Sequence, residues 1–276
     1  THDTGPADCV RVEGPLPYTS RKKWGGAGDK FFLASQNGRS VAAMAIASLL
    51  LWEDMDAETK RLVQNVVASY ADRWAGEEPR NGVYYDTQCE ENAWTAAGIS
   101  AGAVLFPDHP HAERWQSGFA NWAMNAIATY RDRLAYPSGL VDEAEGLRVT
   151  SVTFHPDFTA ENHAFVHPSY LCAGINLRAL HAVMALMVGE TPRPEALHNN
   201  KELYERTVKP WMQFDGLAVP VQGQDWWYNR QHERQFTHAV LSVLHGDRDA
   251  AAYAREALSS IERIQASNGR GCLLEE

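Results

Sequence analysis

Two kinds of hydrophobic segment alternate along the chain. Residues 39–52, 90–106 and 168–188 are apolar and rich in small residues on every side, as in Ser40-Val-Ala-Ala-Met-Ala-Ile-Ala-Ser-Leu-Leu-Leu51. Residues 56–75 instead place Leu62, Val63, Val66, Val67, Tyr70 and Trp74 on one stripe, with charged residues between them. Residues 111–133 do the same with Trp115, Phe119, Trp122, Ala126 and Tyr130, and residues 247–266 with Tyr253, Ala257, Ile261 and Ile264. A helix that is apolar all round must be enclosed by others, whereas a striped helix lies outside with its stripe inward. A mostly polar segment over 194–213, breaking at Pro210, and a short apolar one over 235–244 complete the set. Pro168 is a favoured first-turn residue, and Pro107 and Pro110 stop the helix before them. Asp54 and Asp56 stand where a helix N-terminus asks for caps.

Strand periodicity is nearly absent. The pattern predicts an all-α chain in which buried inner helices alternate with amphipathic outer ones. The layout expected is an α/α toroid, or an incomplete one of about four to five hairpins, since six would need more chain. Residues 1–276 form a single domain, with 1–36 an irregular lead-in. Its Gly25-Gly-Ala-Gly28 cluster lacks the order of a phosphate loop.

The topology places chemistry. Each long polar, aromatic loop precedes an inner helix, so up-down connectivity puts all of them at one end. The inner-helix N-termini there favour anionic groups. Pooling the loops gives Lys23, Trp24, Lys30 and Asn37 from the first. The second gives Tyr84, Tyr85, Asp86, Glu90, Glu91, Asn92 and Trp94. The third gives His155, Asp157, Glu161, Asn162, His163, His167 and Tyr170. The fourth gives Asp225, Trp226, Trp227, Tyr228, Arg230, His232 and Arg234. The stretch Thr153–Tyr170 is the densest of them in histidine, carboxylate and aromatic side chains.

Charge narrows the partners. A net charge of −10 argues against a nucleic-acid surface, which needs basic patches. It leaves room for an acidic substrate held by a local Arg or Lys pocket. Cys9, Cys89, Cys172 and Cys272 show no metal or paired spacing, and Cys172 reads as a buried free thiol. They do not decide the compartment, and no signal-peptide pattern stands at Thr1. No apolar run is expected to reach the ~20 residues of a membrane-spanning helix.

The Glu161-Asn162-His163 run, followed by aromatics and Tyr170, resembles the Asn-His motif of alginate lyases and heparinase II/III-like polysaccharide lyases, which are α/α-toroid enzymes. Those enzymes more often carry two Asn before the His, and Glu161 takes the first place here. The resemblance implies β-elimination from a uronic-acid sugar. Asn162 would neutralise the substrate carboxylate, and His163 or a tyrosine would take the C5 proton. Tyr170 or Tyr228 would protonate the leaving oxygen. Trp226 and Trp227 would stack on sugar faces and Arg230 or Arg234 would hold a carboxylate, with Glu91, Trp94, Tyr85, His167 and His155 completing the substrate site.

Other classes stand beside it. Glu90 or Glu91 with Asp157, Glu161 or Asp225 could supply the paired carboxylates of a glycoside hydrolase. An isoprenoid-cyclase-like helical enzyme would need an Asp-rich DDxxD or DxDD cluster, and neither occurs. A non-catalytic helical scaffold would not call for the crowded histidines. No cofactor is expected. A divalent metal held by His155, Asp157, His163 or His167 is a minor alternative. His181 reads as a core histidine.

Overall fold

The computed structural model describes residues 35–82, 85–135, 147–219 and 231–273. The lead-in over 1–34, with Lys23, Trp24 and Lys30, lies outside them. The described residues are mostly helical. Helix α1 (Asn37–Leu51) passes through a short 3₁₀ turn into α2 (Ala57–Trp74). Asp56 caps α2 by accepting the Thr59 N–H at 2.7 Å. Helix α3 (Cys89–Leu105) is followed by α4 (Ala112–Ala126) and α5 (Tyr130–Ala135). A small hairpin, β1 (Glu161–Asn162) with β2 (Phe165–Val166), leads into α6 (Pro168–Met187). Then come α7 (Pro194–Leu197), α8 (Asn200–Leu203), α9 (Glu233–His245) and α10 (Arg248–Ser267).

The all-round apolar segments are the enclosed helices. From Cys89 to Gly102 nearly every residue of α3 is buried, and most of α6 is too. Helix α3 packs against α1, α2, α4 and α6, while α6 also packs against α1 and α9. Helix α10 lies against α9. Small residues make this closeness possible. A Cβ at Gly38 would overlap the Trp94 carbonyl, and one at Gly98 would stand 2.6 Å from the Gly38 Cα. Arg178 ties the interior together: fully buried, it donates to the carbonyls of Gly174, Ala123, Glu195 and His198 and to the Asn200 side chain.

Three expectations need correction. The helix over 111–133 is two helices, because the segment 150–154 takes over its backbone bonding. The Ala128 carbonyl accepts the N–H groups of Thr153 and Phe154, and Asn125 accepts those of Thr150 and Ser151. Asp132 then restarts the helix as α5, accepting the Thr129 N–H at 2.7 Å. The helix over 194–213 is broken earlier than Pro210. Asn199 is left-handed (φ 57°) between α7 and α8, and a π turn follows from Tyr204. Helix α6 does have the length and hydropathy of a membrane-crossing helix, but 72% of that stretch is buried inside the protein, as a core helix requires. Cys89 and Cys172 are buried free thiols and Cys272 is an exposed one.

Candidate functional site

The hairpin β1–β2 carries the Asn-His pair. Glu161 pairs with Val166 and Asn162 with Phe165, so His163 and Ala164 form the turn, with φ of 50° and 70°. Left-handed conformation at two successive residues is the hairpin geometry that matches strand twist. His163 is therefore lifted to the exposed tip while Asn162 is buried beneath it. The segment 85–87 docks the hairpin. Thr87 donates its N–H to the Glu161 carbonyl at 3.0 Å, and Ala164 donates to the Tyr85 carbonyl at 2.9 Å. The Glu161 carboxylate accepts the Tyr85 N–H at 3.1 Å and lies 3.4 Å from His155.

Two residues after the hairpin's last residue, α6 begins. His167, fully buried, caps it by accepting the Tyr170 N–H at 3.2 Å through Nδ1. Tyr170 is fully buried one turn in. Beside it starts α3, entered through Gln88 in the left-handed region (φ 64°), with Glu90 and Glu91 in its first turn. Burial, then the charge of Asp86, pushes the Glu91 carboxyl up to about 6, and His163 acts on it in the opposite sense. Burial first, then Cys89, Glu91 and Asp86, holds the Tyr170 phenol well above its ordinary range, so it stays protonated.

Four buried polar atoms in this region lack a hydrogen-bond partner among the described residues: Glu91 Oε2, Trp94 Nε1, Asn162 Oδ1 and Tyr170 Oη. A native interior leaves few such atoms, and each calls for a reason. They come from the first turns of α3 and α6 and from the strand just before α6. A cavity of about 270 Å³ lies between α1, α3, α6 and α9. Arg39 of α1, Glu90 of α3, Asn176 of α6, and His232 and Glu233 at the start of α9 supply its polar lining. Ala173, Leu177, Leu180 and Phe236 supply the apolar part. Arg39 and Glu233 meet at 3.4 Å, joining α1 to α9. Arg39 and Asn176 sit inside helical patterns, where a polar residue reads as a cap or a solvated face, and Glu233 stands in the fourth loop between His232 and Arg234 with nothing in the sequence to single it out.

The remaining expected residues are placed as follows. Tyr84, Asp225, Trp226, Trp227, Tyr228 and Arg230 lie outside the described residues. Arg234 is almost fully buried and donates to the Pro168 carbonyl at 2.8 Å, so it locks α9 to the start of α6. Tyr85 is exposed, at φ 74°. Asp157 holds its own turn by accepting from Thr159. Asn92 is buried and binds the Arg80 and Asn125 carbonyls. His181 stacks on Phe119 in the core and accepts the Arg193 N–H. Among the described residues no three His, Cys, Asp or Glu side chains group as a metal site requires. His155 and His167 are instead engaged by Glu161 and by the α6 backbone.

Comparison with protein-family models, with curated proteins and with solved structures gives no match to this chain.

Proposed function

We propose that the protein is a carbon–oxygen lyase that cleaves a uronic-acid-containing glycan by β-elimination, on an incomplete α/α toroid of four hairpins closed by the Arg39–Glu233 contact. The observation that carries this reading is the set of unpartnered buried polar atoms on Glu91, Trp94, Asn162 and Tyr170 beside the exposed imidazole of His163. A bound sugar acid would supply what they lack. While Asn162 Oδ1 accepts from a sugar hydroxyl, the Asn162 amide nitrogen and Trp94 donate to the substrate carboxylate. Glu91 does so in its protonated form, which its raised pKa populates in mildly acidic solution.

The chemistry then divides between two residues. With its carboxylate charge neutralised, the sugar loses its C5 proton to His163. The electron pair forms the C4–C5 double bond and expels the C4 oxygen. Tyr170, kept protonated by its surroundings, gives that oxygen its proton. Trp226 and Trp227 as stacking platforms, Tyr228 as a second proton carrier and Arg230 as a carboxylate clamp belong to the same proposal.

The test is an assay on uronate oligomers. Wild type should generate an unsaturated product with new ultraviolet absorbance, and His163→Ala and Asn162→Ala should each lower that rate at least about a hundredfold. Undiminished turnover in both variants would sink the lyase reading. A glycoside hydrolase is the second reading, favoured by Glu90 and Glu233 lining one cavity. It would release reducing ends without the absorbance and would lose activity in Glu90→Gln or Glu233→Gln.

A further inference from the structure

A second cavity lies on the other side of the segment that docks the hairpin. It holds about 250 Å³ and is lined by Asn81, Gly82, Thr87, Val152, Phe154 and His155, with Arg133 at its edge. Two of these residues also build the hairpin's support. Thr87 donates its N–H to the Glu161 carbonyl, and His155 faces the Glu161 carboxylate. The cavity therefore shares Thr87 and His155 with the support of the hairpin that carries Asn162 and His163.

Its polar groups are donors. Arg133 is exposed on α5 and has no ion-pair partner among the described residues. The Asn81 side-chain oxygen is already taken by the Val152 N–H at 2.9 Å, which leaves its amide nitrogen to a ligand. His155 faces the Glu161 carboxylate and also feels that of Asp157, and its side chain is 40% exposed. A guanidinium, an amide and an imidazole around a mainly apolar hollow suit an anionic ring compound, with charge-assisted bonds to the anion and apolar contact with the ring. Arg133 gives this hollow a fixed positive charge on a chain whose net charge is −10.

We infer that this cavity is a flanking subsite that binds the acidic sugar next to the one at Asn162 and His163, its carboxylate held by Arg133 and His155. The inference rests on the proposed lyase reading for the identity of the glycan, but the subsite is tested by binding alone. Its volume suits one pyranose ring, so it should be filled only by substrates longer than the disaccharide.

Calorimetric titration in a His163→Ala background, where turnover cannot confuse binding, separates the possibilities. Arg133→Ala should weaken a uronate tetrasaccharide about tenfold, the loss of one charge-assisted pair, and change disaccharide affinity less than about twofold. Arg133→Lys should recover part of the loss, and thermal melts should show Arg133→Ala as stable as its parent, since the exposed Arg133 side chain has no hydrogen bond or ion pair among the described residues. Equal tetrasaccharide affinity with and without Arg133, or an equal loss for both ligands, overturns the subsite while leaving the lyase reading intact. Absence of uronate binding to the parent at any length overturns both.

Discussion

His155 Nε2 stands 3.4 Å from Glu161 Oε1, while the other oxygen of that carboxylate accepts the Tyr85 N–H. Glu161 thus clamps the hairpin from both sides, one residue before Asn162. Glu161→Ala removes both contacts. Because the His155 side chain is 40% exposed and that of Glu161 24%, the expected stability cost is small, about 1 kcal/mol. Turnover should suffer far more, since a shift of about 1 Å in a reacting group can cost a hundredfold. Paired measurements of kcat and urea stability on Glu161→Ala check this. A stability loss as large as the activity loss would make Glu161 a general fold residue and not a positioning one.

Two buried histidines set the acid limb of stability. His238 lies between the Tyr204 hydroxyl at 2.8 Å and the Gly216 carbonyl at 3.0 Å. The carbonyl can only accept, so Nε2 carries the proton and Nδ1 accepts from Tyr204. Burial chiefly, aided by Arg234, lowers His238 to about 4, and burial with Arg193 does the same for His181. A folded pKa below the unfolded ~6.5 means the unfolded chain binds more protons, so stability falls as pH drops from about 6.5 to 4. Each histidine should cost about 2 kcal/mol between pH 7 and 5. Urea unfolding at the two pH values measures the sum, and a flat profile would contradict the burial of both rings.

Glu91 acts in the opposite direction. Its folded pKa of about 6 exceeds the ordinary carboxyl value of 4.5, so the folded chain holds the proton more tightly. Its contribution is therefore present at low pH and is lost as pH rises through about 6, amounting to about 1 kcal/mol between pH 5 and 7. Glu91→Gln, permanently neutral, should lose more stability than wild type on acidification from pH 7 to 5, by that amount. It should also shift the pH dependence of uronate binding, since the protonated carboxyl is the proposed donor.

How far the sequence reaches can be read from individual residues. Pro168 and the apolar run behind it marked α6 to within a residue, because first-turn proline and burial act locally and along the helix itself. The break between α4 and α5 was hidden, since Tyr130 continues the stripe of Trp115, Phe119 and Trp122. What ends α4 is the bonding of Asn125 and Ala128 to residues 150–154, a partner more than twenty positions away. The site divides the same way. Asn162 and His163 were visible as an odd local composition, but no glycine announced the left-handed turn that lifts one and buries the other. Arg39 and Glu233 meet across 194 positions of sequence, and only the packing of α1, α3, α6 and α9 brings their helices to one cavity.

Tyr170 offers the sharpest separation of fold from chemistry. Its hydroxyl is buried at the start of α6 beside the Cys89 thiol, a weak partner at best. A satisfied buried tyrosine loses about 1 kcal/mol or more when its hydroxyl is removed, because its partner is stranded. Here Tyr170→Phe removes a polar atom whose neighbour is only a weakly bonding thiol and keeps the ring's packing, so stability should stay level or rise by up to about 1 kcal/mol. The backbone bond to His167 is untouched by the change. Elimination from a uronate oligomer should nevertheless fall by about a hundred- to a ten-thousandfold, the usual worth of a general acid. A leaving group that needs no proton should restore much of that rate, whereas added stability alone would not. Thermal melts alongside turnover of a natural and an activated substrate give both answers. A destabilised Tyr170→Phe with proportionate loss on both substrates would return Tyr170 to the core.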